Sequence, residues 1–275
     1  MPELAEVEFY RKQWNPGLRR RVRAVRVQPA ARVFRGCAVR ALRRELPGAR
    51  LVASAASAKQ MLFRFSGGRW LGLHLGMSGE LRTDTAGLTP GKHDHLVLIL
   101  RDRSLVFSDP RMFGRVRFSI GRAPPAWWTR LPPPILSSAF SAGVLTAFLQ
   151  RHARAPIKGV LLMQERFPGI GNWMADEILW RSGVHPARRA GTLDAATIGR
   201  LWRACRRVCR LALAANAGSG ADSPPALNVR IPDSWLFHHR WEDGGRCPLT
   251  GRPLKRAVIA GRMTCWSPAR QRLWS

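Results

Sequence analysis

The chain opens Met1-Pro2-Glu3-Leu4-Ala5-Glu6. Removal of Met1 would leave Pro2 as a secondary amine at the chain end, a nucleophile able to attack a sugar C1′ and form an iminium. The adjoining carboxyl can protonate the sugar or the departing group during an oxocarbenium-like step. Lys59, in Ala58-Lys59-Gln60-Met61-Leu62 at the start of an apolar strand, can set one point charge on a phosphate. Two glycine-bounded runs follow: His74-Leu75-Gly76-Met77-Ser78-Gly79 and Asp109-Pro110-Arg111-Met112-Phe113-Gly114. Their tight turns would project Met77, Arg111 and Phe113 outward. An exposed Met and Phe beside an Arg suit a wedge that enters a base stack and fills the space of an extruded nucleotide. The run Phe167-Pro168-Gly169-Ile170-Gly171-Asn172 exposes backbone N–H groups at a helix start, a place expected to cradle a phosphate. A dinucleotide fold is excluded there, because no strand precedes the glycines and no βαβ unit follows.

The charge balance agrees with a polyanionic partner. Lys and Arg number 46 against 17 Asp and Glu, a formal net charge of +29 in 275 residues, and nucleic acid is the commonest polyanion. A high-GC genome explains Arg over Lys but not the shortage of acids. No apolar run reaches the length of a membrane span. Arg11, Lys12, Arg19, Arg20 and Arg21 come too early for a signal core, so a cytoplasmic, nucleoid-associated bacterial protein is expected. The five cysteines form no C-x-x-C pair, and their odd number argues against a disulfide framework. Cys205 and Cys209, one helical turn apart among apolar residues, read as core.

Elements that could position these groups follow from periodicity. An opening helix is expected at about 4–13, and strands at 51–52, 60–65, 70–75, 95–100 and 104–107, separated by turn signals at 66–68 and 90–91. Prolines at 124–125 and 132–134 mark a stiff linker. Helices follow, one capped by Ser141, one over 157–164, one over 172–182 and one capped by Asp194. The last should carry Ile198, Leu201, Cys205 and Val208 inward and Arg200, Arg203, Arg206, Arg207 and Arg210 outward. Short strands in a hairpin are expected over about 235–275. The boundaries are therefore 1–125 for a β-sandwich, 126–136 for a linker, 137–233 for a helical domain and 234–275 for a finger-like hairpin.

In this order the motifs resemble the formamidopyrimidine-DNA glycosylase/endonuclease VIII family over nearly the whole chain. The matching features are the Met-Pro-Glu start with Glu6, Lys59, HLGMSG at 74–79, KHDH at 92–95, DPRMFG at 109–114, Ile157-Lys158, PGIGNWMADEIL at 168–179 and Gly261-Arg262. The resemblance implies an α+β multidomain fold: an N-terminal β-sandwich with an opening helix, a helix-two-turn-helix domain and a C-terminal β-hairpin finger. It implies Pro2 as Schiff-base nucleophile, Glu3 as proton donor and Lys59 as the basic residue of elimination and phosphate contact. Met77, Arg111 and Phe113 resemble the void-filling triad, with Arg111 reading the orphaned cytosine. Glu6, His74, His93, Arg154, Lys158 and Asn172 resemble DNA-contact positions. Arg262 is similar to the finger arginine that grips phosphate and assists the second elimination.

Ala5 stands where the family usually has proline. The family's four finger cysteines fall on Cys247, Thr250, Ser267 and Arg270, so one is kept and the finger reads as zincless, with no cofactor. Packing by Val258, Ile259, Trp266 and Trp274 would have to replace the metal; Cys265, His238 and His239 have poor spacing for a site. Met77 with Phe113 favours the branch acting on oxidised purines. The expected partner is double-stranded damaged DNA, bound by a monomer, and the lesion loop should lie near 216–230. The alternatives are a glycosylase for oxidised pyrimidines, a damage-binding protein without turnover, and an RNA-binding helix-two-turn-helix protein.

Overall fold

The structure is a computed structural model describing residues 1–218 and 224–273. The central residues of the expected lesion loop, 219–223, and Trp274 lie outside the described residues. The chain divides into two compact units, one formed by Met1–Pro2 with Glu6–Leu131 and one by Glu3–Ala5 with Pro132–Ser275. The chain thus changes unit after Pro2, again after Ala5 and finally after Leu131.

After α1 (Leu4–Lys12), the first unit contains β1 (Ala24–Val27), α2 (Val39–Glu45), β2 (Leu51–Ser57), β3 (Gln60–Phe65), β4 (Arg69–His74), β5 (Glu80–Thr85), β6 (Asp94–Ile99), β7 (Arg103–Ser108) and β8 (Arg115–Ile120). Two antiparallel four-stranded sheets result, in the orders β1-β6-β7-β5 and β2-β3-β4-β8. Phe63, Phe65, Leu71, Leu73, Leu98 and Phe107 are among the buried residues of their shared core, with Trp14 packed on Phe63. The central strands fall where periodicity predicts them, whereas β1, β5 and β8, all at sheet edges, lie where none is expected. The stretch expected to be a linker holds α3 (Ala126–Thr129). Its Trp127 sits so close to Gly72 that a Cβ there would collide with the indole, and Arg117 stacks on the ring at 4.5 Å.

The second unit is helical. It contains α4 (Ala142–Arg151), α5 (Ile157–Leu161), α6 (Asn172–Ser182) and α7 (Ala195–Ala217). Ser141 Oγ accepts from Val144 N at 3.3 Å and Asp194 Oδ1 from Thr197 N at 2.6 Å, so both expected caps form. The helix starting at Ile157 ends at Leu161, before the expected 164. Ile198, Leu201, Cys205 and Val208 are buried as expected. Arg206, expected outside, instead donates to the carbonyls of Ile135, Leu136 and Ser137 at 2.8–3.1 Å. A hairpin of β9 (Lys255–Ile259) and β10 (Arg262–Trp266) closes the chain. Its two-residue turn, Ala260-Gly261, has φ of 51° and 71°, the double-positive pattern that matches the strands' twist. Among the described residues, no helix is long and apolar enough to cross a membrane.

Candidate active site

In the first unit, β2 and β3 are joined by the two-residue turn Ala58-Lys59, with Ala58 at φ 56°. Lys59 therefore sits on the turn rather than in the strand, its Nζ 3.9 Å from Met1 Sδ, next to Pro2 in sequence. His74 faces Gln60 across β3 and β4. Burial, reinforced by Lys59, Arg117 and Arg35, lowers the His74 imidazole to about 4. It is neutral at physiological pH, and its Nδ1 accepts from Gly76 N at 3.0 Å, which leaves the ring proton on Nε2.

The two glycine-bounded loops touch. A Cβ on Gly76, at φ 63°, would lie 2.5 Å from the Phe113–Gly114 backbone, so the contact needs glycine. Asp109, fully buried, ties the loops together: Oδ1 accepts from Ser78 Oγ at 2.7 Å and Oδ2 from Gly114 N at 2.7 Å. Arg35 clamps the far side through Gly114 O at 2.6 Å and Phe113 O at 3.3 Å. Met77 and Phe113 are left 42% and 41% exposed, with the Arg111 guanidinium 5.0 Å from the Phe113 ring centre. His93 lines an adjoining open cleft with Lys92, Pro110 and Met112. Asp109 and Arg35 are not among the residues expected to form the site. The DPRMFG run makes an Asp-initiated Asx-type turn legible, with Arg111 N donating to Asp109 Oδ1 at 3.3 Å; the Arg35 bonds span 78 and 79 residues.

In the second unit, the Glu3 carboxylate occupies the start of α6. Oε2 accepts from Gly171 N at 2.8 Å and Met174 N at 3.1 Å, and Oε1 from Trp173 N at 3.0 Å. The expected phosphate cradle is thus filled by the chain's own carboxylate, a correction that follows from the helix dipole acting on the nearest anion. Gln164 shapes the loop before it, accepting from Gly169 N at 3.1 Å and donating to Ile170 O at 2.8 Å.

Lys158 is also corrected. Its side chain is fully buried, with Nζ 2.5 Å from Asp176 Oδ1 and 2.7 Å from Asn172 O, so it cannot reach a DNA strand. Burial lowers the ammonium below its usual range, opposed by Asp176. Arg240 pairs with Asp176 Oδ2 at 2.5 Å, making a buried triad. Glu6, 7% exposed, likewise presents little to a strand. Asn172 Nδ2 donates to Met263 O on the finger at 2.9 Å. Arg154 and Arg262 are exposed.

The family's metal position does not fit a metal here. Cys247 Sγ accepts from Trp180 Nε1 at 3.4 Å, and Arg270 stacks on the Trp180 ring at 5.4 Å. Burial pushes the Cys247 thiol up, but Thr250, Trp180 and Ser267 outweigh it and bring it to about 7. Two hydroxyls and a guanidinium are not zinc donors. His238 and His239 both bond backbone carbonyls, of Ile231 and Asp233, at 2.8 Å. Among the described residues no group of three or more His, Cys, Asp and Glu could hold a metal. Packing falls to Trp180, Leu236, Leu254, Cys247 and Cys265; Val258, expected to share it, is 66% exposed.

A two-sheet unit with two touching glycine-bounded loops, and a helical unit whose central helix holds an N-terminal carboxylate, define a β-sandwich and helix-two-turn-helix protein. Family models for the formamidopyrimidine-DNA glycosylase N-terminal domain and H2TH domain match residues 1–116 and 131–223. A formamidopyrimidine-DNA glycosylase of Halorhodospira halophila is 35% identical, covering 99% of this chain and all of its own length. One of Thermus thermophilus is 36% identical over 98% of both chains. The chain belongs to the formamidopyrimidine-DNA glycosylase family. A Lactococcus lactis Fpg solved with abasic-site DNA shares the fold, with TM-score 0.85 at 23% identity over 98% of this chain and 99% of that one.

Proposed function

We propose that this chain is a bifunctional DNA glycosylase and abasic-site lyase of base-excision repair, acting on oxidised purines such as 8-oxoguanine and formamidopyrimidines. The observation that carries the reading is the Pro2-Glu3 pair: a latent terminal amine beside a carboxylate fixed by three backbone donors. Once Met1 is removed, the Pro2 nitrogen bonds to C1′ as the glycosidic bond breaks and the base leaves with a proton. Glu3 protonates the ring oxygen as the sugar opens to the iminium, and its three N–H donors stabilise the carboxylate left behind. Loss of the C2′ proton then expels the 3′ strand by cleavage of C3′–O3′. Loss of the C4′ proton expels the 5′ phosphate by cleavage of C5′–O5′, and water releases the sugar fragment from Pro2.

Lys59 supplies positive charge near the terminus. Met77, Arg111 and Phe113 fill the vacated base position, with Arg111 facing the orphaned cytosine; Met77 together with Phe113 favours the purine branch. His74, His93 and Arg154 meet the strands, and Arg262 meets the phosphate leaving in the second elimination. Residues 1–125 carry the catalytic terminus and wedge, 137–233 the helical DNA-binding part and 234–275 the finger, which works without zinc. The partner is damaged duplex DNA in a bacterial cytoplasm, engaged by one copy of the chain.

The test is a duplex with 8-oxoguanine opposite cytosine. Release of the free base, with a gap bounded by phosphates, is expected. Saturable binding without release would replace this reading with a damage binder, and release from oxidised pyrimidines alone would move the substrate branch.

A further inference from the structure

We infer that Gly159 and Asp176 are positioning residues for Arg262, doing by direct contact what a metal-bound finger would do by coordination; the inference rests on the lyase reading above. Three contacts seat the hairpin on the helices of the second unit. At the tip, Ala260 lies against α5 so closely that a Cβ on Gly159 would meet the Ala260 Cβ at 2.9 Å. Next along β10, Met263 O accepts from Asn172 Nδ2 at 2.9 Å. Further on, Cys265 N donates to Asp176 Oδ2 at 3.0 Å, and that carboxylate is itself locked by Lys158 and Arg240.

Arg262 falls between the first contact and the second. Its Cα is therefore fixed from both sides, by the tip on Gly159 and by the strand on α6, although its side chain is exposed. The second elimination depends on where that guanidinium sits, because it must meet the phosphate as the C5′–O5′ bond breaks. Misplacement by about 1 Å is enough to cost up to about a hundredfold in rate.

Gly159→Ala separates positioning from stability. Alanine is the better helix former, by roughly 0.5–1 kcal/mol, so local stability pushes one way while the Ala260 contact pushes the other. The measurement is the ratio of β,δ- to β-elimination product on an abasic duplex, with borohydride trapping as internal control. The expected result is about a tenfold fall in that ratio, with trapping and β-elimination within about twofold of the parent. Adding Ala260→Gly should restore the ratio, since it removes the colliding methyl and glycine is at ease at φ 51°. Combining Gly159→Ala with Arg262→Ala should give no further loss beyond Arg262→Ala alone.

An unchanged ratio in folded Gly159→Ala would overturn the proposal, as would equal loss of both products without rescue. A parent that neither traps nor cleaves would defeat the lyase reading instead. Hydrogen exchange over 262–266 then decides the seating: slow exchange in the parent that quickens in Gly159→Ala and in Asp176→Asn upholds it, and exchange unaffected by either substitution overturns it.

Discussion

Glu3 caps the helix that begins after Gly171. Its Oε2 is 2.8 Å from Gly171 N, and a Cβ on that glycine would collide with the carboxyl carbon. The acid beside the proposed nucleophile is therefore placed by a helix distant in sequence, and only glycine leaves room for it.

Gly171→Ala should displace the Glu3 carboxylate and lower base excision by about a hundredfold, leaving the two hydrophobic cores intact. Single-turnover release of 8-oxoguanine measures the loss. Parent-like rates in this variant would mean that the clamp does not matter to chemistry.

Lys158→Met distinguishes a buried lysine from a DNA contact. Asp176 keeps Arg240 as partner, so the expected cost is roughly 2–4 kcal/mol of stability. The slope of log affinity against log salt should not change. Arg154→Ala, by contrast, should reduce that slope by about one with little effect on stability. A shallower slope for Lys158→Met at unchanged melting temperature would restore the surface role.

His74 makes the protein sensitive to mild acid. Its folded value, about 4, lies below its usual 6.5, so the unfolded chain takes up the proton first as pH falls. The stability tied to this group is full above about pH 6.5 and is lost progressively toward pH 4, reaching about 2 kcal/mol of loss near pH 5. Glu177, pushed up to about 7 chiefly by burial, gives the opposite slope, but it is common to parent and variant. The melting temperature of His74→Gln should therefore gain on the parent's between about pH 7.5 and about pH 5. A constant gap would show that the imidazole is not held neutral.

The finger should resist chelation. Dialysis against a strong zinc chelator is expected to leave strand cleavage at the parent level, because Cys247 is held by Trp180 and its neighbours instead of a metal. Trp180→Phe removes the indole donor and should lower the melting temperature. Chelator-induced loss, reversed by added zinc, would contradict the metal-free finger.

Much of this architecture is legible in the sequence because its signals are local. The caps at Ser141 and Asp194, the long α7 and the central strands all follow from spacing over a few residues. The missed strands β1, β5 and β8 are sheet edges with charged residues alternating against few buried ones, as in Arg115-Val116-Arg117, which weakens the apolar pattern. The site divides the same way. Pro2, Glu3 and Lys59 stand out by type and order, whereas the identity of the anion at α6 depends on a contact spanning 168 residues. Lys158 is assigned to DNA contact by resemblance alone, and nothing nearby in sequence reveals that Asp176 and Arg240 enclose it. Asp176 is visible only as one letter of a motif.

The Pro2 iminium is tested by borohydride trapping on an 8-oxoguanine duplex, followed by mass analysis of the crosslinked peptide. A reduced adduct is expected on the N-terminal peptide at Pro2, with Met1 absent, and no adduct in Pro2→Gly of comparable DNA affinity. An adduct mapped to a lysine, or cleavage persisting in Pro2→Gly at the parent rate, would contradict it.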